Sequence, residues 1–378
     1  MRLLIVELAL AISLLAPVIT CEAQDTGARA RETHSRAIEL ESKGNHPAAL
    51  ALLWEAAGLA PRDPDIQNAL GEALERIGAL DAAVAAYRAA VEANPAFRKA
   101  SNNLILVLVK AGKGEEALRL ARDLVAGAPE DADRYFTLGL AQSEQNIDEA
   151  MKSFRRALAL NPRHALARYN LALALNRADR TPEAIDEMKR TLAIDSRAET
   201  HLRLGAMYAH QGEFEAAIEQ LNAAVRLDPR SAEAHATLGA VFQAQQDWEK
   251  AEREFRRAIA IGPDVATHYA LANVLRHRGN SAGANAATAE AERLRHQREQ
   301  DQQAGVLTSV GTARFDAGDF EGALGLFRRA ISASDHYAPA HYQMGRALQR
   351  LGRGDEAREA FTRAAALNPS LAAPKLPH

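Results

Sequence analysis

The chain is poor in most of what staples or catalyses. Its 378 residues contain one cysteine, Cys21, and 5% aromatics. One thiol cannot close a disulfide within the chain, so stability has to come from packing. No Asn-X-Ser/Thr sequon with X other than Pro occurs, which suits a bacterial envelope protein better than a glycosylated one. His-Glu-X-X-His, Cys-X-X-Cys, Gly-X-Gly-X-X-Gly and phosphate-loop patterns are also missing. The sequence therefore offers no catalytic constellation, no metal ligands and no cofactor site. An excess of one charge is lacking too: 46 Lys and Arg against 49 Asp and Glu leave a net charge of −3, which argues against nucleic acid as a partner. Beyond the N-terminus no apolar run approaches membrane-spanning length.

The N-terminus itself, "MRLLIVELALAISLLAPVITCEAQ", has one cation, an apolar stretch, and small residues Cys21 and Ala23 ahead of Gln24. It resembles a secretory signal peptide covering 1–23. Glu7 is a flaw in its apolar core, and two alternatives stay open: a retained anchor, against which Pro17 argues, and lipidation at Cys21 in the manner of a bacterial lipoprotein. The expected location is the bacterial periplasm, with a lipid-anchored or secreted chain as lesser readings.

What the chain does have is Ala in abundance and a period. Pro61, Pro95, Pro129, Pro162, Pro229, Pro263 and Pro369 close similar phrases, the first four at spacings of 34, 34 and 33 residues. The phrase reads clearly in Ala234 to Pro263: Leu238-Gly239, then Phe242, a turn, Ala251, Phe255, Ala258 and the proline. Leu238 and Phe242 are four apart, as are Ala251 and Phe255, so each pair shares a helical face. Small residues let the two helices approach closely. The small pair runs through ten units: Ala37/Ala49, Gly71/Ala83, Ile105/Ala117, Gly139/Ala150, Ala172/Ala184, Gly205/Ala217, Gly239/Ala251, Ala272/Ala284, Gly311/Ala323 and Gly345/Ala357. A single helical hairpin cannot bury its own apolar face, so such units must stack.

This pattern resembles the tetratricopeptide repeat family. The resemblance implies an all-α fold, a right-handed α-solenoid of about ten stacked helix-turn-helix units. Their expected bounds are 30–63, 64–97, 98–131, 132–164, 165–197, 198–231, 232–264, 265–303, 304–337 and 338–371, with a tail at 372–378. Arg36 stands at a normally apolar place, which suits a terminal unit. The eighth unit carries a charged extension of its second helix, Ala289 to Gln303. Too few residues follow Pro369 for a closing helix, so self-association through an apolar edge of the last repeat is a further expectation. Repeat three is peculiar: Ile105 stands where other units have Gly or Ala, Ala121 where they have a bulky residue, and Leu124 where they have Ala. With these volumes exchanged, its helices should pack with a shift.

Three features look like chemistry and are read otherwise. "GNSAG" at Gly279–Gly283 matches a serine-nucleophile pattern, but it falls in a helix–helix turn where a strand-to-helix turn is needed. His201, His235, His268 and His341 recur in register, but neighbouring units lie about 10 Å apart, too far to share a metal that needs nitrogens about 2 Å away; they are read as filler between units. "FRRA" at Phe154, Phe255 and Phe327 puts paired arginines on second helices, read as a solvated outer face.

In this family the first helices line a groove that holds an extended peptide or a helix of a partner. The resemblance carries that role to Asn102, Leu106, Val109, Phe136, Leu140, Tyr169, Asn170 and Leu173 in repeats three to five, with Lys99, Lys110 and Arg177 at the rim. Packing against adjoining helices is the competing role for these side chains. The expected function is a non-catalytic protein-interaction scaffold with a protein or peptide ligand. The alternatives are a self-assembling or envelope-anchored spacer and a recruiting subunit of a separate enzyme.

Overall fold

The computed structural model describes residues 26–371. The leader expected at 1–23, Cys21 and the 372–378 tail lie outside the described residues. Among the described residues every regular element is a helix, and the chain divides after Pro129 into two compact units. The first unit holds α1 (26–42), α2 (His46–Leu59), α3 (Pro64–Arg76), α4 (Leu80–Ala93), α5 (Arg98–Lys110) and α6 (Gly114–Gly127). The second holds α7 (Ala132–Gln142), α8 (Ile147–Leu160), α9 (Ala165–Arg177), α10 (Thr181–Leu192), α11 (Ala198–His210), α12 (Phe214–Leu227) and α13 (Ala232–Ala244). It continues with α14 (Trp248–Ile261), α15 (Val265–His277), α16 (Ser281–Asp316), α17 (Phe320–Ala333), α18 (Ala338–Arg350), α19 (Gly354–Leu367) and a closing 3-10 turn, Pro369–Leu371. Both units are all-α repeat stacks.

Local chemistry sets the breaks. Asp63, Asp131, Ser231 and Asp264 cap first helices by accepting hydrogen bonds from backbone N–H groups two or three residues on, which satisfies donors the helix leaves unpaired. In every hairpin but that of repeat four the chain reverses through one left-handed residue. It is Gly in seven units, but Asp179 (φ 57°) in repeat five and Gln246 (φ 61°) in repeat seven. Pro182 sits in the first turn of α10, where no helical hydrogen bond is lost.

Hairpins close by size compensation. A Cβ placed on Gly71, Gly139, Gly205, Gly239, Gly311 or Gly345 would run into Tyr87, Phe154, Leu221, Phe255, Phe327 or Phe361 respectively, at 2.4–2.8 Å. Glycine thus makes room for the large residue facing it. Repeat three inverts the pair, with Ile105 buried in α5 and Ala121 in the same register of α6. Its two helices pack over less of their length than every other hairpin from α3 onward. α6 buries only Ala117, Leu118 and Ala121, leaving Leu120, Leu124 and Val125 half-exposed.

In the second unit one apolar cluster runs without a break from Ala150 to Ala287. Two smaller clusters follow, one around Phe315, Phe327 and Phe361 and one joining Ala304, Ala330 and Ala340. The interruption has a cause in α16. The extension after Ala289 does not stop: 36 residues form one helix that is both the second helix of the eighth unit and the first of the ninth. A helix cannot lie beside its own continuation, so the ninth unit loses the neighbour that would cover its incoming face. Val306 and Val310 are consequently 60% and 49% exposed, whereas Leu238, in the register of Val310, is 3% exposed.

Candidate interaction site

In the second unit, α7 and α9 present Phe136, Leu140, Tyr169 and Leu173, all partly buried and packed against the core. They are not equivalent. The Phe136 ring lies 6.1 Å from Phe154 and 5.0 Å from His164, centroid to centroid, so it fills the seam between repeats four and five. Leu140 and Leu173 are half-exposed. The Tyr169 hydroxyl donates to Glu199 Oε1 at 3.3 Å. Burial and the Glu199 carboxylate raise its pKa, with Arg203 only partly offsetting them. It therefore stays a donor at neutral pH. Asn170 donates its amide to Leu166 O at 2.9 Å, and Arg177 reaches Ser143 O at 3.1 Å and Glu144 at 3.4 Å.

In the first unit, α5 carries Asn102, Leu106 and Val109, each half-exposed. Both rim lysines are engaged by α3: Lys99 pairs with Glu72 at 2.6 Å and Lys110 with Glu75 at 2.5 Å. Asn103 donates to Asn68 at 3.1 Å and to Glu72 at 3.2 Å. These cations tie consecutive first helices together and are solvent-facing pairs of small energetic weight.

The recurring histidines have a more definite role than filler. His235 Nδ1 lies 2.8 Å from Glu254 Oε2, and its Nε2 3.3 Å from Pro229 O. The same two directions recur in register: Arg168 reaches Glu187 and Pro162 O, His201 reaches Gln220, and His341 and Gln67 reach Asp335 O and Pro61 O. This position clamps the first helix to the loop six residues before it and to the second helix nineteen residues after it. The signal in the sequence is the polar residue nineteen positions on, Glu187, Gln220 or Glu254. Repeat eight has Ala287 there, and both nitrogens of the buried His268 lack a partner. An orphaned buried donor costs about 1–3 kcal/mol. Ala287→Gln is expected to recover about 1 kcal/mol of that, read by calorimetry as a higher unfolding midpoint; an unchanged or lower midpoint refutes the clamp.

The remaining motifs are accounted for locally. Asn280 caps α16 by accepting from Gly283 N at 2.9 Å, so Ser281 opens a helix after a helix. Arg156, Arg256 and Arg257 pair with Glu130, Glu252 and Glu254. Among the described residues no group of three or more His, Cys, Asp and Glu could hold a metal ion, and no helix is long and apolar enough to cross a membrane.

Family models described as tetratricopeptide repeat match residues 34–97, 140–199, 232–265 and 314–373, and a TPR repeat model matches 205–246. The chain belongs to the tetratricopeptide repeat family. Members of the family generally act as protein-interaction scaffolds. Among curated proteins, a 112-residue segment is 32% identical to the human protein O-mannosyl-transferase TMTC3, and a 99-residue segment is 25% identical to the anaphase-promoting complex subunit 3 of Dictyostelium discoideum. These segments are 28% and 26% of this chain but only 12% and 10% of those proteins. Among solved structures, a tetratricopeptide repeat protein from Parabacteroides merdae shares the fold, with a TM-score of 0.51, 19% identity, and 66% of this chain covering 99% of that one. The Cut9–Hcn1 assembly of APC/C aligns with a TM-score of 0.48 at 20% identity, over 79% of this chain and 58% of that chain.

Proposed function

We propose that this tetratricopeptide repeat chain is a non-catalytic scaffold whose first helices hold an extended peptide or a helix of a partner protein. One observation carries the reading. Two residues after the Leu of each Leu-Gly phrase, repeats three, four and five have Leu106, Leu140 and Leu173, all half-exposed. The other units have Ile38, Glu72, Ala206, Ala240, Asn273, Thr312 and Arg346 there. Within the second unit, Leu140 and Leu173 are half-exposed apolar side chains packed on one core, and the Tyr169 hydroxyl lies on the same helix as Leu173. Phe136 supports it from the seam. Lys99, Lys110 and Arg177 are committed within the chain, so selectivity rests on the leucines more than on charge.

Burying one leucine is worth about 1.5–3 kcal/mol, and association costs consume much of that, so the complex is transient. The apolar start Met1–Ala23 has the make-up of an export leader, and we assign the scaffold to the bacterial periplasm on that ground. A photoreactive probe at position 140, crosslinked in cells and followed by mass spectrometry, should capture one dominant partner. Leu140→Ser combined with Leu173→Ser should weaken that capture at least about tenfold with helicity unchanged. Full capture by this variant would remove the site assignment.

A further inference from the structure

Helix α2 departs from the charge pattern that most second helices follow. It contains Glu55 but no other acid, and no Lys or Arg. Five residues after the small residue of the hairpin crossing, six of the nine other units carry a cation: Arg88, Arg122, Arg155, Lys189, Arg256 and Arg328. The first unit carries Trp54, 53% exposed. Two residues before the same small residue, seven units carry Asp or Glu, and the first carries Pro47. The outer face of α2 is thus an apolar stripe, Pro47, Ala51, Trp54 and Gly58, at spacings of four, three and four. Ala51 and Gly58 are exposed, and a Cβ at Gly58 would meet no atom within 4 Å. An apolar outer face on a helix whose inner face is already buried is ordinarily covered, and an exposed tryptophan between small residues is the composition of an interface centre.

We propose that this stripe binds the same stripe on a second copy of the chain, the two α2 helices running antiparallel about a two-fold axis. The inference is independent of the groove on the first helices. The occupant is argued from self-complementarity. With the axis between residues 52 and 53, Trp54 of each copy faces Ala51 of the other, and Pro47 faces Gly58, so large meets small at all four contacts. An isologous contact needs such a self-matching surface. Helices lacking Lys and Arg also bring no cationic repulsion to the seam, whereas any other second helix carrying the outward Arg or Lys would. The stripe is about 16 Å long, so it buries well under the ~800 Å² per partner of a stable complex. The dimer is therefore reversible and concentration-dependent.

Sedimentation of the full chain between about 1 μM and 1 mM should show monomer passing to dimer and no larger species. In a Trp248→Phe background the remaining Trp54 emission should shift to the blue over the same range. Trp54→Arg, which installs the residue other repeats carry, should raise the dissociation constant about thirty-fold or more, and Gly58→Glu should do the same. Far-UV circular dichroism should stay unchanged in both, since both positions face solvent. A control lacking residues 1–23, which keeps every described helix, should dimerise as the full chain does. The proposal is overturned by a monomer throughout the range, by higher oligomers, by a dimer that survives Trp54→Arg, or by a dimer that vanishes with residues 1–23.

Discussion

Gly139→Val should destabilise the second unit by about 3 kcal/mol, near the upper end for an overpacked core. Even the first added carbon has nowhere to go. A Cβ at Gly139 would stand 2.4 Å from Phe154 Cε1 and 2.6 Å from Cδ1. The ring cannot yield, because Phe154 is fully buried with Phe136 against it. The two branched methyls of valine then either push α7 away from α8 or drive the ring off its rotamer. Because each unit of a stack is stabilised by its neighbours, hydrogen exchange should rise across α7 to α10 first. Gly58→Ala is the control: it meets no atom and should be neutral or gain up to about 1 kcal/mol from helix propensity. Denaturant unfolding of the two variants distinguishes steric closure of the hairpin from a general intolerance of residues larger than glycine; equal midpoints would refute it.

Glu254→Ala should cost about 3–4 kcal/mol, the range for breaking a buried ion pair. The side chain of Glu254 is 4% exposed and holds three partners, His235 at 2.8 Å, Arg257 at 3.0 Å and Arg253 at 3.2 Å. Removing it strands His235 Nδ1 inside the hairpin and leaves the two arginines with one acceptor fewer. The loss should carry a pH signature. Burial works against the carboxylate charge, but the hydrogen bonds from His235 and Arg253 and the attraction of Arg257 outweigh it, so the Glu254 pKa is lowered on folding. A group with a depressed folded value binds protons more readily unfolded. Its stabilisation is therefore complete above the ordinary carboxylate range, about pH 4.5, and drains away as the pH falls through the lower folded value. Glu254→Gln should flatten this part of the acid-unfolding profile relative to the unmodified chain, and superimposable profiles would refute the assignment.

Much of this molecule is legible in its sequence because each repeat is held together by contacts inside itself and to its immediate neighbours. The spaced prolines, the Leu-Gly phrases and the small–large pairs report a hairpin whose two helices close at one crossing. The exchange of Ile105 and Ala121 is legible for the same reason, since volume at a crossing belongs to two residues with a set separation. The leucines at 106, 140 and 173 stand out through register alone. The unbroken run of α16 also left a trace: between Gly283 and Gly305 there is neither Gly nor Pro to end the helix.

Other features depend on which surfaces the closed hairpins bring together. Phe136 shares its register with half-exposed Tyr169, yet its ring belongs to a seam, because Phe154 and His164 reach it only when repeats four and five have stacked. The histidine clamp joins groups six residues before and nineteen after, a pairing that exists only once the hairpin has turned and the loop has folded over it. The apolar edge expected at the last repeat is absent from the described part of α18 and α19, which hold none of the exposed large apolar residues; Val306 and Val310 on α16 have that exposure instead. The sequence by itself determined the family, the helical hairpins and the register of the proposed binding face, because these follow from periodic short-range chemistry. The tertiary structure alone decided which residues of that face stay exposed, because exposure depends on the neighbour, and in α16 the usual neighbour is missing.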